Sequence, residues 1–200
     1  MLKPVAIFLL LVLLLTLGTA CTCSKISDQY CTITRISGVV TVLPVGSIAW
    51  TEAEVDTQLR AGDRIRTTDN SSAIITFFEG SVIELKSNTE VGITELIIEV
   101  GPKSTTISLE QTIGTTINRV QKLVDTASSY EIDTPSAVAA VRGTEYEVVV
   151  LSDSTTTVIV TEGNVSVTAQ GVSVLVSDDE QTTVLPGEPP STPTPLRGGK

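Results

Sequence analysis

The groups able to do chemistry in this chain are few, and one of them stands alone. In TPSAVAAVRGTEYEV (134–148) a run of small apolar residues leads to Arg142, and Gly143 and an alternating segment follow. An arginine there could polarise a substrate. It could equally use its five donors to tie down carbonyls or a carboxylate, with Glu131, Asp133 and Glu145 close in sequence. The catalytic reading needs an acid or base held in reach, and nothing at fixed spacing supplies one. Arg142 therefore reads as a folding device. The chain has no histidine, which removes Ser-His-Asp and Cys-His catalysis, His-containing zinc sites and imidazole pH sensing. Glu52, Glu54, Asp56, Asp63, Glu79 and Asp133 could in principle flank a glycosidic bond, but no pattern pairs them and they read as solvated charge. SDDE (177–180) lacks the loop that a calcium site requires. No enzyme activity, cofactor or metal is expected.

The three cysteines lie near the amino end, at 21, 23 and 31. They follow MLKPVAIFLLLVLLLTLGTA, which has a basic start, an apolar run from Val5 to Leu17 and a small-residue exit. That order describes a secretory signal over 1–20. The run is shorter than the roughly 20 residues of a membrane-spanning helix, although an uncleaved anchor helix is the alternative. LGTAC resembles a bacterial lipoprotein signal, with Cys21 as the lipidated residue, except that Gly18 stands where Leu is usual. Cys23 and Cys31 are then left as a candidate disulfide in an oxidising compartment, or as two free thiols. The expected place is the outer face of a bacterial membrane.

These groups must be positioned by strands. Hydrophobic residues make up 41% of the chain and aromatics only 4%, so the core has to come from Val, Ile, Leu and Ala. The abundance of Val, Ile and Thr favours pleated sheet. A formal net charge of −10 argues against nucleic acid, whose phosphates need clustered Lys and Arg. Turn signals recur at Gly62-Asp63, Asp69-Asn70, Glu79-Gly80, Glu162-Gly163 and Gln170-Gly171, dividing short apolar runs. In the opening stretch Thr134-Pro135 starts a turn, and Tyr146 and Val148 share a sheet face. EGSVIEL (79–85) and RGTEYEV (142–148) share a charged-Gly-hydroxyl frame, a sign of two similar β units. In 108–129, Leu109, Ile113, Ile117, Val120 and Val124 fall at helical spacing, while Gly114 and the β-branched residues around it oppose a helix. That pattern alone leaves helix and strand open.

The body resembles the FecR-like domain, the extracytoplasmic portion of iron-dicitrate-type signalling regulators. AGDRIRTTDNSSAIITFFEGSVIELKSNTEV, SYEIDTPSAVAAVRGTEYEV, TVIVTEGNVSV and EQTTVLPGEP carry the likeness, the second most specifically. The resemblance implies an all-β domain without catalytic residues, with 108–129 mostly extended. It marks Gly62, Asp63, Gly80, Thr134, Pro135, Arg142, Gly143 and Thr144 as structural motif residues. Family regulators usually carry a cytoplasmic segment that binds a sigma factor, and only MLKP precedes the apolar run here.

The resulting expectation is an all-β chain of two stacked β units, as a sandwich or a β-roll or jelly-roll-like domain. A linker would span 21–35, the β domain 36–187, and a disordered Pro/Thr/Gly-rich tail 188–200. The function expected is a non-enzymatic, membrane-tethered module for binding or signal sensing, without a sigma-factor-binding segment. A structural envelope scaffold is the alternative. Its partners would be the membrane, through the lipid or the helix, and an envelope protein or surface polymer.

Overall fold

The computed structural model describes residues 29–98, 104–122 and 127–196. Those residues are strands and turns throughout, with no helix; the expected signal or anchor helix, Cys21 and Cys23 lie outside them. Among the described residues no helix is long and apolar enough to cross a membrane.

The first half of the chain carries β1 (Cys31–Ser37), β2 (Val40–Leu43), β3 (Thr51–Glu52), β4 (Gln58–Leu59), β5 (Arg64–Thr67), β6 (Ser72–Thr76), β7 (Val82–Leu85) and β8 (Glu90–Ile98). A long strand, β9 (Thr105–Arg119), comes next. The second half carries β10 (Ser129–Asp133), β11 (Val138–Val141), β12 (Glu145–Val150), β13 (Thr156–Glu162), β14 (Val165–Ala169), β15 (Val172–Val176), β16 (Glu180–Val184) and β17 (Thr194–Pro195).

Hydrogen bonding sorts these strands into two ladders. The front ladder runs β4-β1-β6-β7-β9-β12-β13-β16-β17. The back ladder runs β3-β2-β5-β8-β9-β10-β11-β14-β15. Only β9 belongs to both, and it joins them into one open 17-stranded system. Every pairing is antiparallel except β9 with β10. Inward side chains of both ladders meet in one core built around Ile33, Leu59, Ile65, Ile83, Leu109, Ile132, Val148 and Val158. Each such aliphatic side chain contributes roughly 1.5–3 kcal/mol on burial.

The chain changes ladder again and again, and each described corner carries a residue in the left-handed region. Gly38, Asp56, Gly62, Asn70, Asn88, Gly114, Gly143, Gly163 and Asp179 have φ between 53° and 98°. Glycine adopts this region freely, and Asn and Asp are the side chains that tolerate it best. Two expected turns differ in kind as a result. Glu79-Gly80 closes the hairpin of β6 and β7, with the Phe77 amide donating to Ser81 O at 2.9 Å. Glu162-Gly163 instead passes β13 of the front ladder into β14 of the back one.

The segment 108–129 is extended in its described part up to Arg119, where β9 ends. Its inward set is Ile107, Leu109 and Gln111, then Thr116 and Asn118. The parity flips between 111 and 116 because the strand leaves the back ladder and enters the front one there. Gly114 sits in that passage at φ +94°, and a Cβ on it would lie 2.5 Å from Thr89 Cα. Thr89 Oγ1 donates to Thr115 O at 3.1 Å and accepts from Thr115 N at 2.9 Å. Side chain thus replaces strand partner for backbone groups between ladders, as buried amides require.

The internal repeat is visible as pairing register. β7 and β12 flank the second half of β9, with Ile83 and Tyr146 both opposite Asn118, and Leu85 and Val148 both opposite Thr116. The strands before them diverge: β6 pairs with β7, whereas β11 lies in the back ladder.

Two boundaries are corrected. Residues 31–35 belong to β1 and not to a linker, because Cys31 and Ile33 are buried against β4 and β6. The tail expected to be disordered from 188 is tied down through 196. Ser191 Oγ accepts from Thr183 N at 3.0 Å, β17 pairs with β16, and Leu196 N donates to Asp179 O at 2.7 Å. Backbone pairing along β16 supplies what the tail's poor apolar content could not. Residues 197–200 lie outside the described residues.

Gly114→Ala is expected to lower stability by about 1–3 kcal/mol from backbone conformation alone. The close approach of Thr89 adds to that. Thermal unfolding reads it as a Tm lowered by roughly 2–4 °C per kcal/mol.

Candidate functional site

The opening stretch forms one corner of the molecule. Thr134 closes its turn twice over: Oγ1 accepts from Ala137 N at 2.9 Å and lies 2.8 Å from Ala137 O. It also meets Thr156 Oγ1 at 2.9 Å. Pro135 fixes the backbone inside this turn. Ala137 and Ala139 are buried, as small residues are where backbones approach. Val141 ends β11, Arg142-Gly143-Thr144 makes the corner, and β12 starts at Glu145.

The closest packing at this corner belongs to Gly143. Its φ is +98°, and a Cβ there would lie 2.7 Å from Lys122 Cα. Thr144 is buried, donates from Oγ1 to Asn164 O at 3.0 Å, and accepts at its carbonyl from Val120 N at 3.0 Å. Arg142 is exposed. The corner's packing is therefore set by the residues that follow Arg142, and the guanidinium lies at its surface.

Two clefts meet at Arg142. One, of about 420 Å³, is lined by Arg119, Gln121, Lys122, Arg142, Gly143, Glu145 and Glu162 among others. Arg119 Nε donates to Glu145 Oε1 across it at 3.0 Å. The other, of about 370 Å³, lies over the back ladder, between Glu131, Ala140, Ser166, Leu175 and Arg142. Both clefts carry mixed charge and exposed polar groups. Such surfaces suit ionic or peptide contacts better than water-excluded proton transfer.

The remaining marked residues hold the backbone. Asp63 is buried, and its two carboxylate oxygens accept from Val45 N at 2.8 Å and Arg60 N at 2.9 Å. Gly62 turns beside it against Val45. Gly80 takes φ +97° in the β6-β7 turn. In 177–180, Asp178 Oδ1 accepts from Gly163 N and Glu180 Oε2 from Ser177 N, as turn caps. Asp133 is held above the usual carboxylate range by burial and by Glu110. Among the described residues no three His, Cys, Asp or Glu side chains are placed to hold a metal. Cys31 is a buried thiol with Sγ 3.7 Å from Leu59 O; Cys23 lies outside the described residues.

A buried polar rail, which the apolar pattern of the sequence does not report, runs along β9. Gln111, Thr116 and Asn118 are each 0% exposed. Gln111 Nε2 donates to Gly114 O at 2.8 Å and to Val148 O at 3.1 Å. Thr116 Oγ1 donates to Gln111 Oε1 at 2.8 Å and accepts from Asn118 Nδ2 at 3.0 Å. Tyr130 OH reaches Asn118 Oδ1 at 3.4 Å. Tyr146 OH, also buried, has no partner. The available signal was T-x-N at period two inside an otherwise apolar pattern. Burial pushes both phenols up, and it pushes the Cys31 thiol up to about 12.

A family model described as FecR protein matches residues 63–166, from the Asp63 turn to β14. The chain belongs to the FecR protein family. The matched FecR span contains β9, its rail and the Arg142 corner. Two crystal structures of a "putative anti-sigma factor" from Parabacteroides distasonis ATCC 8503, at 1.65 and 2.50 Å resolution, share the fold. Each has a TM-score of 0.53 at 20% identity, over 66% of this FecR chain and 59% of the other. The chain thus spans about three fifths of that protein's length. No curated protein matches the chain.

Thr116→Val removes a hydroxyl that satisfies two neighbours while keeping its volume. Leaving buried polar groups unpaired costs about 1–3 kcal/mol each. Denaturant unfolding should show a larger loss for this variant than for Arg142→Ala, whose side chain is exposed. Stability should also fall as pH rises. The fold keeps the Cys31 proton to about 12, against 9.0 for the ordinary thiol, so its contribution is whole below about pH 9 and is lost between about 9 and 12. Unfolding curves across that window check the sign.

Proposed function

We propose that this FecR chain is a non-enzymatic, membrane-tethered extracytoplasmic module for binding or signal sensing. The observation that carries the reading is the use made of the family's most recognisable block. Thr134, Gly143 and Thr144 are committed to the chain's own backbone, and the corner they build is flanked by two open clefts that a partner can enter. A reactive centre would instead need aligned acid and base groups in a closed pocket. The anti-sigma description of the similar solved protein suits a signalling role.

The tether is Cys21, lipidated after signal cleavage. A single acyl chain binds a membrane weakly, so stable anchoring draws on more than one chain. The partner class is an envelope protein or surface polymer met at the Arg142 corner. Mixed charge around Arg119, Lys122, Glu145 and Glu162 makes that contact sensitive to ionic strength.

Fractionation of a bacterial host producing the full chain should place it in the membrane, released by detergent. Cys21→Ser should move it to the soluble extracytoplasmic fraction. Recovery of the unmodified chain from the cytosol would overturn the proposal.

A further inference from the structure

The back ladder ends in an edge strand that lacks the usual protections. β15 (VSVLV, 172–176) pairs with β14 on one side, from Val165↔Val176 to Ala169↔Val172. Its five residues include no charge, no proline and no register shift. The other ladder ends differ. β3, β4 and β17 have two residues each, and β17 contains Pro195. Natural proteins blunt free edges with short strands, charges or proline, and this protein does so at three ends out of four.

The faces of β15 point the same way. Val176 is fully buried and Val174 packs against the core, yet Val172 on that same inward face is 46% exposed. On the outward face Leu175 is 62% exposed, opposite Ser166, and Ser173 lies opposite Thr168. Among the described residues the other large exposed apolar side chains are away from free edges: Ile113 is in β9, and the rest lie outside the strands.

We propose that β15 is a self-association edge, and that a second copy of this chain adds its own β15 antiparallel about a two-fold axis at Val174. The strand is self-complementary in this register. Val172 meets Val176 of the other copy, Ser173 meets Leu175, and Val174 meets itself. The inward valines then continue the core across the axis, and the outward residues form an apolar-hydroxyl row. An isologous contact of this kind closes as a dimer.

The neutral strand admits a second copy, and charge sets its direction. The chain carries −10 overall, so two copies repel wherever acidic surface meets. β15 is neutral, and the acidic residues Asp178, Asp179 and Glu180 follow only its carboxyl end. Antiparallel pairing sets that end beside the neutral Gln170-Gly171 turn of the other copy. Parallel pairing would set the two acidic ends together. Five paired residues make a small interface, so the dimer is weak in dilute solution and strengthens when copies are concentrated on a membrane.

Sedimentation of the full chain in detergent tests this over a concentration series. Wild type should move from monomer towards dimer mass as concentration rises. Ser173→Glu with Leu175→Glu sets carboxylates against each other across the axis and should hold the chain at monomer mass. Ser173→Lys with Leu175→Glu sets opposite charges together and should restore the dimer. Both sites are exposed, so circular dichroism should show the same fold in all three. A wild-type chain that stays monomeric throughout, or a double-glutamate variant that dimerises like wild type, overturns the proposal. So does a chain that is monomeric alone and pairs at β15 only with a different protein.

Discussion

One strand has to serve two ladders, and the rest of the architecture follows from how it does so. A strand crossing between ladders loses its partners for a few residues, and buried amides left unpaired are costly. In β9 the gap is closed from both sides: Gln111 reaches forward to the Gly114 carbonyl, and Thr89 takes both polar groups of Thr115. Gly114 lets β9 come against the backbone at Thr89. Arg64 adds a surface clamp nearby, bonding Glu90 at 2.9 Å, Glu110 at 2.7 Å and Thr112 at 2.7 Å. These half-exposed pairs contribute little individually, but they bind β5, the start of β8 and β9 beside the crossing.

The polar rail and the aliphatic core divide the work. Val, Ile and Leu provide most of the burial, and they are interchangeable enough to tolerate several arrangements. Gln111, Thr116 and Asn118 are not interchangeable, since each bond fixes a register between β9 and its neighbours. A one-residue slip would turn the rail outward and leave its partners unpaired inside. The two large phenols cap this arrangement, with Phe77 edge-on to Tyr130 at 5.9 Å between ring centres.

Much of this was legible in the residues. The strand composition, the hairpins at Glu79-Gly80 and Gln170-Gly171, and the shared frame of 79–85 and 142–148 all reappear, the last as a common register on β9. What was hidden has a physical cause in each case. The helical spacing in 108–129 misleads because Ile113 and Ile117 lie on the outward face of β9 while Gln111, Thr116 and Asn118 are buried, so the apolar pattern does not report the inward one. Corners and hairpins use the same left-handed residues, so the Glu162-Gly163 turn signal does not say whether the chain stays in its ladder or leaves it. The tail and β1 are held by backbone pairing with distant strands, which local composition does not encode. Arg142 drew notice as the only basic residue in its stretch, while the closest packing rests on Gly143 and Thr144.

The alternation between ladders also bears on how the chain reaches its native state. β1 pairs with β6 some 40 residues later, and β9 must find β7 on one side and β12 on the other. Few of these contacts are local, so closure entropy accumulates before burial compensates it, and such topologies fold slowly. β9 itself keeps two open borders until β10 and β12 arrive. Until then those borders can take up the wrong neighbour, so crowding during folding is a hazard of this topology.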